Sequence, residues 1–342
     1  MFGLSKEIRG KHITYRPELD GIRALAIIVV LLHHLGYLSG RGFLGVDIFF
    51  TLSGYLITQV LLATVAQGKP LSEFYRRRLA RLYPIMALSI PIALWLNGFR
   101  SDRDTKPALA SLFYLKNFLH WGDLFGPFWS LSAEEQFYLL FPITLILFLK
   151  FTNRRTLTVF LLALTALAWG HVLWVNYPNY SWNQDGVFNL ILFRPTMILV
   201  GCIISLNYLW CLAMVKRFVA VFWALFIIIF ALCLHMQFPG LAAIDTAILI
   251  LLLDKKVSST FSIFGGLRLL LSLPPVRTLG LLSYSIYIWH MPIIFLYYKK
   301  SLDPHEHVWM IFGIVLGFAI VSFYLIEVPL QRMLSGSKKA IH

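Results

Sequence analysis

Apolar runs of about 20 residues recur along the whole 342-residue chain, and this feature narrows the fold more than any other. A backbone surrounded by lipid must satisfy its own hydrogen bonds, so runs of this length read as membrane-spanning helices. Composition agrees. The chain is 58% hydrophobic and 13% charged, where a soluble protein has about 25% charged residues. The expected fold is an all-α polytopic bundle, one integral-membrane domain over residues 1–342 without an appended soluble domain. Ten segments are predicted, over 19–37, 44–66, 82–98, 129–149, 157–175, 188–208, 216–235, 240–254, 279–298 and 308–328. The segment 240–254 is short enough to be re-entrant, and 108–120 reads as an extra interfacial helix. The first run is followed by no small-residue cleavage site and reads as a retained helix.

Basic residues orient the bundle. With both termini cytoplasmic, as tails 1–18 and 330–342, only seven of the 30 Lys and Arg residues fall in outer loops. The net charge of +14 then marks cytoplasmic loops and contact with anionic lipid rather than nucleic acid. The expected location is a bacterial cytoplasmic (inner) membrane. Cys202, Cys211 and Cys233 form no CxxC and no metal-ligand spacing.

Ionisable residues inside a membrane are costly, so each is a site candidate. Arg23 and His34 lie eleven residues apart in the first segment. Eleven steps of about 100° bring them back to one helix face, about 16 Å apart along the axis. They cannot touch each other, but one long ligand can touch both. His33 points elsewhere and reads as a packing neighbour. Arg78 and Arg81, in "EFYRRRLARLYP", share a face. They fit either an anion site for phosphate or a topological anchor, and on spacing alone the anchor is the simpler reading. Asp47 opens the second segment, placed either to pair with His34 or to meet the helix dipole. In "FWSLSAEEQFYLLFP", Ser130 or Ser132 is the expected cap, with Glu134 and Glu135 in the first turn. Capping does not explain both acids. Arg194 needs a counter-charge, for which these two are the candidates. Tyr284, Tyr287 and His290 run along the ninth segment, where a lone His beside a Pro is commonly a packing residue. Glu327, at the end of the tenth, is a candidate partner for Arg23, Arg78 or Arg81.

Six blocks in order, "YRPELDGIRALAIIVVLLHH", "GFLGVDIFFTLSGYLIT", "FYRRRLARLYP", "FWSLSAEEQFYLLFP", "LGLLSYSIYIWHMP" and "YLIEVPLQR", resemble the membrane-bound acyltransferase 3 family, whose members O-acylate carbohydrates and related acceptors. The resemblance implies that Arg23 and His34 form the first-helix motif, with His34 catalytic. It links Arg78 and Arg81 to the acyl donor and matches Glu327 to the late acid. It also implies acyl-coenzyme A, most simply acetyl-coenzyme A, as donor, with no permanently bound cofactor. The chain departs from the family at Gln331, where an Arg is common, and Arg332 follows. Its end about fifteen residues past the last segment resembles the stand-alone form lacking the fused esterase-like domain.

The resulting expectation is an O-acetyltransferase. The donor's phosphates lie near Arg78, Arg81 and Arg23, and its arm follows the Arg23–His34 face. His34 acts as general base on the hydroxyl of an extracytoplasmic carbohydrate such as lipopolysaccharide or exopolysaccharide, helped by Asp47. Glu134, Glu135, Arg194, Tyr284 and His290 are the polar residues on the acceptor side or in the framework. A covalent acyl-His remains open. Two rival classes stand: a transporter or flippase of an envelope glycan precursor, opposed by the lack of a paired interrupted-helix signal, and a non-catalytic partner in glycan assembly. Trp121, Tyr177, Tyr180 and Trp182 in the outer loops read as interfacial-belt residues.

Overall fold

A computed structural model of the chain describes residues 15–38, 41–119, 124–176, 194–236, 240–259 and 262–335. The loop aromatics Trp121, Tyr177, Tyr180 and Trp182 lie outside these residues. Every regular element among the described residues is helical. Four helices are long and apolar enough to cross a membrane, or six if two sharply bent pairs each make one span. Two further apolar helices are shorter.

The chain opens with α1 (Pro17–His34), whose Pro at the first position and acids Glu18 and Asp20 in the first turn suit a helix start. It continues with α2 (Phe43–Ala66) and α3 (Leu71–Asn97). The third helix starts at Leu71 rather than 82. The arginine block is its first half, because those residues are good helix formers and only hydropathy had excluded them. After α4 (Ser101–Leu112) and a 3₁₀ turn at Lys116–Phe118 come α5 (Phe128–Phe151) and α6 (Arg154–Asn176). Neither Ser130 nor Ser132 caps α5. Pro127 holds the N-cap position, and the two hydroxyls bond Pro127 O and Phe128 O.

The next stretch departs most from the expected spans. α7 (Thr196–Leu206) bends by 80° into α8 (Tyr208–Arg217). Asn207 sits at the break, where its Nδ2 donates to Ile203 O and to Thr158 Oγ1 of α6. Ile203 O also accepts the Asn207 backbone N–H, so the side chain adds a second donor there and ties the break to α6. Then follow α9 (Val219–Met236), α10 (Leu241–Leu252), and three short helices where a loop was expected: α11 (Lys255–Ser258), α12 (Ser262–Leu271) and α13 (Pro274–Leu281). A second bend, of 64°, joins α13 to α14 (Ser283–Lys299). Two sharply bent helix pairs thus stand where the sequence carried no signal of paired, interrupted helices. α15 (Val308–Ser322), a π turn at Phe323–Glu327 and α16 (Val328–Ser335) complete the chain.

α1 is the central helix, packed against α2, α12, α13 and α14. Several glycine contacts between helices have no room for a side chain, two of them on α1 and α2. A methyl group on Gly280 would sit 1.8 Å from the Asp20 carbonyl, and one on Gly54 of α2 would sit 1.9 Å from Ile198 O of α7. Such backbone approach holds helices together where lipid supplies no hydrophobic drive. The outward faces of α5, α6, α9 and α15 are apolar, as Leu140, Val159, Ile228 and Val321 show, which suits a lipid solvent.

Candidate active site

The face that each residue of α2 presents organises the site. Asp47, Thr51 and Gly54 recur at helical spacing and meet α7 and its surroundings: Thr51 donates to Met197 O, and Gly54 abuts Ile198. Val46, Phe49, Phe50 and Ser53 form another stripe, which lines a cavity of about 1170 Å³. Along α2 its wall extends from Thr64 to Val46, about 27 Å of helix. α1 contributes only its first turns, from Pro17 to Arg23. The ligand path expected along the Arg23–His34 face is therefore displaced onto α2, because Ile27 and Val30, between the two, are fully packed.

One end of the cavity is strongly polar. Arg16 pairs with Glu18 at 2.7 Å and with Asp254 at 3.7 Å, and donates to Ile250 O and Tyr55 Oη. Arg268 reaches Glu18 at 3.7 Å, and Arg77 pairs with Glu73. Asp20 accepts from Tyr15 Oη and, at 3.3 Å, from Arg23 Nη1. Burial, helped by Asp20, pushes the Tyr15 hydroxyl up from 10.0 to about 12, so it remains a donor.

Deeper in the wall, Arg78 lies between Glu134 Oε1 at 3.5 Å and Glu135 Oε1 at 3.4 Å, with its guanidinium 3.1 Å from the Tyr138 ring centroid. Glu134 also accepts from Ser53 Oγ at 2.5 Å and from Tyr138 Oη. Arg81 sits in the combined field of Arg23, Arg78, Asp20 and Glu327, with no carboxylate in ion-pair contact among the described residues. Glu327 is buried and accepts from Ser285 Oγ at 2.5 Å. The π turn that carries it precedes Pro329, whose missing N–H and bulky ring disfavour a regular α turn there. Tyr284 lines the cavity and donates to Leu82 O at 2.8 Å.

The cavity closes toward the other end at Val46, Phe49, Phe50, Ser130, Leu131 and Tyr287. Tyr287 Oη and Ser130 Oγ lie 2.6 Å apart, and both are within hydrogen-bond reach of Pro127 O. Its ring centroid lies 5.2 Å from that of His290, and His290 lies 4.9 Å from His34. His34 thus stands behind a septum of side chains rather than on the cavity wall. Its Nδ1–H donates to Val30 O at 2.9 Å, which leaves Nε2 as the basic nitrogen. His290 is fully buried. It donates from Nδ1 to Tyr287 O at 2.5 Å, and its Nε2 has no hydrogen-bond partner among the described residues. His33 bonds Leu38 O and packs against Gly42.

The structure thus gathers Arg23, Arg78, Arg81, Glu134, Glu135 and Tyr284 around one cavity. Glu327 lies behind Arg81, and His34 and His290 lie beyond the inner end. Two expected partnerships fail. Asp47 does not meet His34: its carboxylate takes Arg194 Nη1 at 3.3 Å and Gly240 N at 3.3 Å, because its stripe of α2 faces away from the cavity. For the same reason Arg194 is neutralised by Asp47 and stacked on Phe43, not on Glu134 or Glu135. Sequence reasoning missed Ser53 and Tyr138. Their signal was a hydroxyl on the stripe of an apolar helix that also carries cavity residues.

The match to known proteins covers nearly the whole chain. Relatives include a peptidoglycan O-acetyltransferase, OatA, of Listeria monocytogenes, 31% identical over 93% of this chain and 56% of its own length. OatA of Staphylococcus aureus is 32% identical over 93% of the chain and 57% of its own length. A putative peptidoglycan O-acetyltransferase, YrhL, of Bacillus subtilis is 30% identical over 94% and 56%. The chain therefore spans little more than half the length of these relatives. No solved structure matches. The model of the acyltransferase 3 family, described as an acyltransferase domain, matches residues 16–328, and the chain belongs to that family.

Proposed function

We propose that the protein moves an acetyl group from acetyl-coenzyme A on the cytoplasmic side to a hydroxyl of an envelope carbohydrate on the other, as a ten-span protein of the bacterial cytoplasmic membrane with both termini inside. The observation that carries this reading is a long cavity with a basic polar end and a histidine pair just beyond its opposite end. The relatives' names move the acceptor from lipopolysaccharide or exopolysaccharide toward peptidoglycan. In this reading the acceptor hydroxyl gives its proton to His34 Nε2 as its oxygen attacks the thioester carbon. The C–S bond breaks, and the leaving thiolate takes that proton from the imidazolium. Asp47 has no part in the step; it fixes Arg194.

His34→Ala, on protein shown to be folded and inserted, should abolish acetyl transfer as measured by the mass of the glycan product. Full transfer by that variant overturns the mechanism. The transporter reading draws on the two bent helix pairs. Acetyl transfer by purified protein, with only donor and acceptor present, excludes it.

A further inference from the structure

The charges lining the cavity do not balance, and the imbalance is concentrated in one place. Six carboxylates line it: Glu18, Asp20, Glu73, Glu134, Glu135 and Asp254. Each is already held by an arginine among Arg16, Arg23, Arg77, Arg78 and Arg268. Six more cations line the same cavity with no carboxylate in ion-pair contact among the described residues: Lys69, Arg81, Arg154, Lys255, Lys256 and Arg332. All but Arg81 stand at helix ends on the polar side. Lys69 follows α2, Arg154 opens α6, Lys255 and Lys256 open α11, and Arg332 lies in α16. Beyond them the α2 wall turns apolar through Val60, Ile57, Leu56, Phe50 and Phe49.

A ligand complementary to this wall carries several negative charges at one end and a long, nearly uncharged arm. Arg78 is badly placed to hold those charges. Two carboxylates and the Tyr138 ring already occupy its guanidinium, and a phosphate would have to displace them. We infer that the mouth formed by Lys69, Arg154, Lys255, Lys256 and Arg332 binds the phosphate groups of the acyl donor, separately from the Arg78–Arg81 pair, which shapes the wall deeper in. The inference rests on the thioester donor proposed above and assigns its charged head to residues outside the arginine pair. Phosphates bound by partly exposed cations are screened by salt, so donor affinity at this mouth weakens as ionic strength rises.

The test compares acetyl thioesters that lose phosphate stepwise: acetyl-coenzyme A, its 3′-dephospho form, acetyl-4′-phosphopantetheine and acetyl-pantetheine. Lys255→Gln/Lys256→Gln in reconstituted protein should raise the KM for acetyl-coenzyme A about tenfold, the loss expected for contacts to charged groups. The penalty should shrink with each phosphate removed and vanish for acetyl-pantetheine. Lys216→Gln/Arg217→Gln, at exposed basic residues off the cavity, should change none of the four. An equal penalty for all four donors, or none for acetyl-coenzyme A, overturns the assignment. Anionic lipid headgroups offer the same chemistry, so the series is repeated in phosphatidylcholine vesicles with and without phosphatidylglycerol. A penalty that appears only with phosphatidylglycerol makes the lysines lipid contacts and overturns it too. Calorimetric binding of adenosine 3′,5′-bisphosphate, weakened by the double variant, separates the mouth from the donor reading. A wild-type protein that binds this probe but transfers no acetyl group from acetyl-coenzyme A keeps the mouth and loses the thioester.

Discussion

Two arginines set inside the bundle show how alike charges serve different ends. Arg194 and Asp47 are almost wholly removed from solvent, with side-chain exposures of 2% and 0%, and face α7 and α10 away from the cavity. Arg78, Glu134 and Glu135 retain 17–20% exposure and line the cavity wall. Among the described residues the first sets one cation on one carboxylate, which also accepts a backbone N–H, with an aromatic face on the guanidinium. The second is one cation between two carboxylates, open to whatever enters. A charge within a membrane protein therefore marks function only when its partners leave it a face on a path.

The largest effect that sharpens this contrast is on stability. Arg194→Ala strands the buried Asp47 carboxylate and should cost about 3–5 kcal/mol, read as lowered thermal stability in detergent and loss of inserted protein. Asp47→Leu/Arg194→Met should recover most of that loss, since a well-packed apolar pair can replace a buried ion pair. Failure to recover would break the comparison by showing that the pair does more than hold the fold.

Arg78→Ala should instead act on turnover. It leaves Glu134 and Glu135 facing each other and shifts the wall, for which a loss of about a hundredfold in kcat/KM is expected, measured per folded molecule. Arg78→Lys should not rescue it, because an ammonium neither forks between two carboxylates nor stacks on Tyr138 as guanidinium does. Ser53→Ala removes one of Glu134's donors and should cost about 1 kcal/mol, seen as a small drop in both stability and turnover.

The smallest effect concerns Tyr15 and pH. Its folded-state value of about 12 exceeds the ordinary 10.0, so the folded form holds the proton more tightly. The associated stability is complete below about pH 10 and is lost as pH climbs toward about 12. Tyr15→Phe should flatten that alkaline loss in a stability–pH profile while leaving neutral pH nearly unaffected.

Phase along a single helix was legible in the sequence; pairing between helices was not. Arg23 and His34 could be placed on one face by counting residues, and the arginine block could be placed with Arg23. What counting could not reveal was that Ile27 and Val30 fill the face between the two ends. In an apolar chain every face of a helix is greasy, so hydrophobic periodicity does not say which stripe meets a neighbour and which lines a void. Asp47 was assigned to His34 because both lie near one end of their helices, and the α2 stripes reverse that choice. Hydropathy also hid the start of α3, since a charged half-helix scores as a loop. The bend at Asn207 depends on a bond to Thr158 of another helix, which no local reading of the sequence supplies.

The septum of Phe49, Phe50, Ser130 and Tyr287 has a consequence for the cell as well as for the reaction. In the proposed reaction the two reagents come from opposite faces of the membrane; a catalyst that joins them is, in outline, a pore, and an open water path through it would dissipate an ion gradient. Here the cavity ends on packed rings and a hydroxyl pair before it reaches His34. On the reading proposed above, the side chains that the thioester has to pass are the same ones that close the cavity when it is absent.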